Sequence, residues 1–151
     1  SVSDDNMALL SPQAYEAASL PYNSRLSRHF GGIALHSCGV IKHNIGSQLR
    51  TPGLQQMECA ACLLTRDGDP NPNPPEALRD GYRGTGVIVK ARIHKTEIDL
   101  LERLLAPDLK VAVAVGGVET REESEAIYQQ YKERIAQITA HWPIASYSQD
   151  H

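Results

Sequence analysis

Apolar and polar side chains alternate most clearly over 87–93. Val87, Val89, Ala91 and Ile93 fall on one face, while Ile88, Lys90, Arg92 and His94 fall on the other. That two-residue period predicts a strand. Apolar runs at Ile33 to Gly39, Leu54 to Leu64 and Val111 to Val115 predict three more, with Gln55, Gln56 and Glu58 leaving the register of the middle run open. Helical signals lie before and between them. Ser11-Pro12 suits a helix start, and the helix runs to about Phe30 with a kink or break at Pro21. A short helix or turn covers His43 to Leu49 before Thr51-Pro52-Gly53, and Asn73 with Glu76 marks another helix start. Thr96 caps a helix with the stripe Ile98, Leu101 and Leu105, stopped by Pro107. Thr120 and Glu123 form a capping box for a last helix, where Ile127, Tyr131, Ile135, Ile138 and Trp142 recur at spacings of 4, 4, 3 and 4. The Pro-rich stretch 67–75 reads as an ordered loop. A helix followed by four strands alternating with helices points to parallel strands in an α/β fold.

Length and charge narrow the function classes. The 151 residues, 41% of them hydrophobic, suit a single domain with its own core. With 15 basic against 18 acidic side chains, net −3, no basic excess is available for phosphates, so no nucleic-acid partner is expected. No apolar run reaches the roughly 18–20 residues of a membrane span, and no signal peptide is visible. The chain opens on Ser, which reads as a processed or partial chain. Three cysteines do not make a disulfide scaffold, so a soluble, reduced, cytoplasmic protein is expected.

In a parallel α/β sheet, chemistry collects at the carboxyl ends of the strands. Five of the nine Cys and His residues fall at such ends: His36, Cys38, Cys59, Cys62 and His94. His36 and Cys38, two residues apart, point to the same side. Imidazole and thiolate could there share one zinc ion, at about 2.0–2.1 Å and about 2.3 Å respectively. Alone, His-x-Cys is more often an ordinary packed pair than a metal site, by roughly 4:1. Cys59 and Cys62 have Cys-x-x-Cys spacing, which suits zinc or redox chemistry, but no second pair completes four ligands. Lys90, Arg92 and His94 share one face. If that face is enclosed it needs an anionic ligand or carboxylates from elsewhere; if the strand is an edge, the face is simply solvated.

Ser3-Asp4-Asp5, Leu10-Ser11-Pro12, Tyr15, Leu20-Pro21-Tyr22, His36-Ser37-Cys38-Gly39 and Thr51-Pro52-Gly53-Leu54 together resemble the uroporphyrinogen decarboxylase superfamily. The resemblance implies the carboxyl-terminal half of the family's (β/α)8 TIM barrel: about four βα units preceded by a helix, in one partial barrel domain over 1–151. A full barrel takes about 250 residues. A half-barrel leaves two edge strands and a bare apolar sheet face, so the partner expected is the missing amino-terminal half-barrel or a second copy in a homodimer.

His-x-Cys-Gly resembles the zinc-containing, corrinoid-dependent methyltransferases within that superfamily. The likeness implies zinc on His36 and Cys38, a small-molecule thiol as acceptor, and a methyl group carried by a corrinoid on a partner protein. Lys90 and Arg92 would hold an anionic end of the substrate. The third ligand of that branch, a Cys near the end of the last strand, falls close to Gly116 here, which moves it to Cys59, Cys62 or His94; His94 could instead carry a proton. The decarboxylase branch implies metal-free decarboxylation of uroporphyrinogen or a similar polycarboxylate. There Gly116 and Gly117 replace an expected His, and the key Asp and Arg belong to the absent half. A third reading is a non-catalytic half-barrel that needs a partner.

Overall fold

The computed structural model describes residues 1–61 and 72–143. Five strands, β1 (Val2–Ser3), β2 (Ile33–His36), β3 (Leu54–Ala60), β4 (Ile88–His94) and β5 (Lys110–Gly116), form one sheet. Sheet order follows chain order, and every neighbouring pair is parallel. The connections carry α1 (Pro12–Ala18), α2 (Leu20–Phe30), α3 (Ile45–Gln48), α4 (Pro75–Tyr82) and α5 (Leu100–Leu104), and α6 (Arg121–Thr139) follows β5. The fold is therefore α/β with one strand more than the sequence pattern predicts. Among the described residues, no helix is long and apolar enough to cross a membrane.

Local chemistry explains the element boundaries, with several departures from the sequence reading. Ser11 caps α1 by accepting from the Ala14 amide at 3.2 Å. The break expected at Pro21 falls two residues earlier, at Ser19, and Pro21 lies in the first turn of α2, where its missing N–H costs nothing. Gly31, at φ 75°, ends α2 in the left-handed conformation. Asn73 does not cap α4. Its amide is drawn inward instead, accepting from the Ile41 N–H at 2.7 Å and donating to the Gly39 and Ala60 carbonyls at 3.0 and 3.2 Å. Thr96 does not cap α5 either, because its hydroxyl pairs with His94 Nδ1 at 2.9 Å, and the helix begins later, after Asp99. At α6 the Thr120 hydroxyl accepts from the Glu123 amide at 3.1 Å, as the pattern predicts. The helix ends at Thr139, so Trp142 lies in the turn beyond it. The Pro-rich stretch lies outside the described residues as far as 71.

The pleat divides the sheet into two unlike faces. Leu35, Met57, Cys59, Val89, Ala91 and Ile93 point to one side and are at most 1% exposed. Helices bring Tyr15, Ile45, Leu78, Tyr82, Leu100, Leu101, Leu104 and Tyr131 into the same cluster. Each fully buried large aliphatic side chain contributes about 1.5–3 kcal/mol there. Val111, Val113 and Val115 of β5, with Ile127, Tyr131 and Ile135 of α6, line a groove of about 510 Å³. The opposite face carries Ala34, His36, Gln56, Glu58, Lys90, Arg92, Ala112 and Ala114. Of these, Ala112 is exposed and the others are half-buried. The expected bare apolar face is thus mostly polar and small-chained, with Ile88 the exposed large apolar side chain on it among the described strand residues, since most apolar residues are used on the helix side. Register sets His36 beside Glu58, Glu58 beside Lys90, and Lys90 beside Ala112 in one row across four strands.

Candidate functional site

Parallel strands bring their carboxyl ends to one rim, and four of them contribute here. Past β1, Asp4 is buried; its amide donates to the His36 carbonyl at 2.8 Å, and its carboxylate accepts from Asn23 Nδ2 at 2.6 Å. Asp5, the next residue, is thereby held at the end of β2. His36 is the last residue of β2 and is followed by Ser37, whose amide pairs with the Glu58 carbonyl at 3.0 Å. That bond carries Cys38 out over the rim, where it is exposed.

The side chains converge. His36 Nε2 lies 3.1 Å from Cys38 Sγ and 4.0 Å from Asp5 Oδ1. The Cys38 amide donates to Asp5 Oδ1 at 2.7 Å, and the Ser3 hydroxyl donates to Asp5 Oδ2 at 2.8 Å. The Cys38 amide is the main cause holding the Asp5 carboxyl below its usual range, with Ser3 next and the nearby His36 and Arg92 adding to them. On the other side of the imidazole, Glu58 Oε1 lies 3.8 Å from His36 Nδ1, and Lys90 Nζ donates to Glu58 Oε2 at 3.1 Å. The imidazole thus sits between two carboxylates, Glu58 on the Nδ1 side and Asp5 on the Nε2 side. Arg92 Nη2 reaches to 3.8 Å from the Cys38 sulfur.

The fold thus gathers His36, Cys38, Lys90 and Arg92 from the expected residues and separates the others. Cys59 is one residue beyond Glu58, so the pleat turns it to the opposite face, where it is wholly buried in the helix-side core. The sheet lies between Cys59 and the His36–Cys38 pair, which corrects its expected role as a shared ligand. Cys62 lies outside the described residues. His94 ends β4 on the face of Lys90, but it is buried against the following loop. Its Nδ1 is held by Thr96, and a Cβ on Gly117 would lie 2.3 Å from its Nε2. It is not part of the donor group at His36.

Two contributors escaped the sequence reading. Glu58 is one of three polar residues that leave the register of its run open in the sequence, yet Gln56 and Glu58 alternate with Met57 and Cys59 at the strand period. Asp5 is 33 residues from Cys38, and only the pairing of a two-residue strand with β2 joins them. Chemically, the rim offers nitrogen, sulfur and oxygen donors with solvent access, a carboxylate behind the imidazole and a guanidinium beside the thiol. Comparison with protein-family models, curated proteins and solved structures gives no match to this chain.

Proposed function

We propose that this chain is a methyltransferase-like member of the uroporphyrinogen decarboxylase superfamily, holding zinc through His36 and Cys38 and using a small thiol as methyl acceptor. The observation that carries this reading is the 3.1 Å approach of His36 Nε2 to Cys38 Sγ at an open rim. The donor chemistry fits zinc, which takes imidazole and thiolate together and leaves a position open when it is catalytic. Bound zinc lowers the pKa of a coordinated thiol, which supplies a sulfur nucleophile at neutral pH. The chain's own residues prepare that site. Glu58 orients the His36 ring, Lys90 holds Glu58, and Arg92 puts positive charge beside the sulfur, where an anionic group of the acceptor would lie. The methyl group comes from a corrinoid carried by a partner protein.

A sheet whose order never reverses, with its helices feeding one core, also fits the carboxyl-terminal half of a (β/α)8 barrel. On this reading the outer edges of β1 and β5 meet the other half of the barrel or a second copy of the chain. Metal analysis of the purified protein tests the function. Stoichiometric zinc is expected in the wild type, and its loss is expected in the His36→Ala, Cys38→Ala double variant. A wild type without zinc, or a double variant that keeps it, overturns the reading.

A further inference from the structure

We infer that Asp5 is the third protein ligand of the metal at His36 and Cys38, giving a nitrogen–sulfur–oxygen set with a single thiolate. The inference rests on the zinc reading above and departs from the two-cysteine set that the family resemblance implies. Among the described residues, Asp5, His36 and Cys38 form the group of potential ligands whose donor atoms all lie within 4.8 Å of one another. Tetrahedral zinc holds nitrogen, oxygen and sulfur donors about 3.3–3.6 Å apart. The 3.1 Å from His36 Nε2 to Cys38 Sγ and the 4.0 Å from Nε2 to Asp5 Oδ1 fall on either side of that spacing.

Asp5 reaches this position through the fold rather than by chance rotation of a surface side chain. Asp4 before it is buried and tied to Asn23 and to the β2 backbone. The Asp5 carboxylate is then oriented by the Ser3 hydroxyl on one oxygen and the Cys38 amide on the other. Since that amide belongs to the second ligand, the two ligands position each other. The other described candidates face elsewhere: Cys59 is on the far side of the sheet, and Gly117 closes off His94 Nε2. A ligand set with one thiolate and one carboxylate is harder than a two-thiolate set. An incoming thiol would then become the second sulfur on the ion, and its arrival would be visible as a new sulfur-to-metal transition.

The test compares wild type with Asp5→Asn, Asp5→Glu, Cys59→Ser, Cys62→Ser and His94→Gln. Zinc affinity is measured by chelator competition, and cobalt(II) absorption reports thiolate coordination. Asn at position 5 keeps an oxygen for the Cys38 amide, loses the charge and turns an NH2 toward the Ser3 hydroxyl, which can accept from it, so the fold should be retained, as circular dichroism would verify. Losing an outer-shell partner weakens metal binding about 10–100-fold, and Asp5→Asn is expected to weaken it at least as much. Its cobalt band from one thiolate should persist at high metal, and Asp5→Glu should recover part of the affinity. The two Ser variants and His94→Gln should bind as wild type does. If wild type binds zinc while Asp5→Asn binds it equally well, or if Cys62→Ser is the variant that loses it, the assignment of Asp5 is wrong and the zinc reading stands. A wild type that binds neither zinc nor cobalt overturns both.

Discussion

Asn73 ties the loop behind Cys38 to the end of β3, and replacing it should cost both stability and the site. The residue is wholly buried. In Asn73→Ala the buried Ile41 N–H loses its acceptor at 2.7 Å, and the Gly39 carbonyl loses a donor at 3.0 Å. The Ala60 carbonyl still accepts from the residue-73 backbone amide at 2.9 Å and is spared. A buried polar group left unpaired costs about 1–3 kcal/mol, so two of them, with little compensating relaxation, amount to about 2–6 kcal/mol. With an m value of about 2 kcal/mol/M, the urea midpoint should fall by about 1–3 M at unchanged slope. Asn73→Asp keeps the acceptor but turns a carboxylate oxygen toward two carbonyls. Its folded pKa is therefore raised above the usual value near 3.9, and its deficit should grow as pH rises above that value and shrink on acidification. Because Gly39 follows Cys38, zinc affinity should fall in both variants. A midpoint within about 0.3 M of wild type, with no pH dependence in the Asp variant, would refute the assignment of these hydrogen bonds.

Three further outcomes are expected. Gly117→Ala combines a backbone at φ 77° with a Cβ 2.3 Å from His94 Nε2, whereas Gly86→Ala, at φ 79°, meets nothing within 4 Å. Denaturation should show about 1–2 kcal/mol lost at Gly86 and clearly more at Gly117; equal losses would mean that His94 does not press on that loop. Glu58→Gln removes the charge facing Lys90 and His36, so stability should change by less than about 1 kcal/mol while zinc affinity drops about 10–100-fold, as read by chelator competition. Burial raises the phenols of Tyr15 and Tyr131 to about 12 and that of Tyr82 well above 10.0. Their stabilisation is complete below the unfolded value near 10 and is lost as pH rises toward the folded values, so tyrosinate absorbance from these residues should appear together with unfolding.

The parts of this fold that are legible in the sequence are those governed by short-range periodicity. Alternation over 87–93 is enough to find β4 and to put Lys90 and Arg92 on one face. The same two-residue rule, applied to Leu54–Ala60, separates Glu58 from Cys59; the polar Gln55 beside Gln56 hides it. Other features depend on tertiary partners. Asn73 and Thr96 have the chemistry of helix caps, but buried backbone groups and His94 compete for them more strongly. Two residues are too few to show a period, so β1 is invisible until β2 pairs with it, and Asp5 is invisible with it. His94 sits on the correct face by parity, but parity does not reveal that a glycine loop will cover it.

A sheet whose spatial order repeats its order of synthesis is built by accretion. β2 can lie on β1, β3 on β2, and so on to β5, with each newly made segment settling on an edge that is already present. No later strand has to be inserted between two earlier ones, so these strands can be added one after another in chain order, much as stacked-repeat proteins grow unit by unit. The rim gains its side chains in the same order: the carboxylate of Asp5, then the imidazole and thiol, then Glu58, and last the lysine and arginine of β4. The corner of Asp5, His36 and Cys38, proposed above as the zinc site, would therefore be made before the basic residues of β4 beside it.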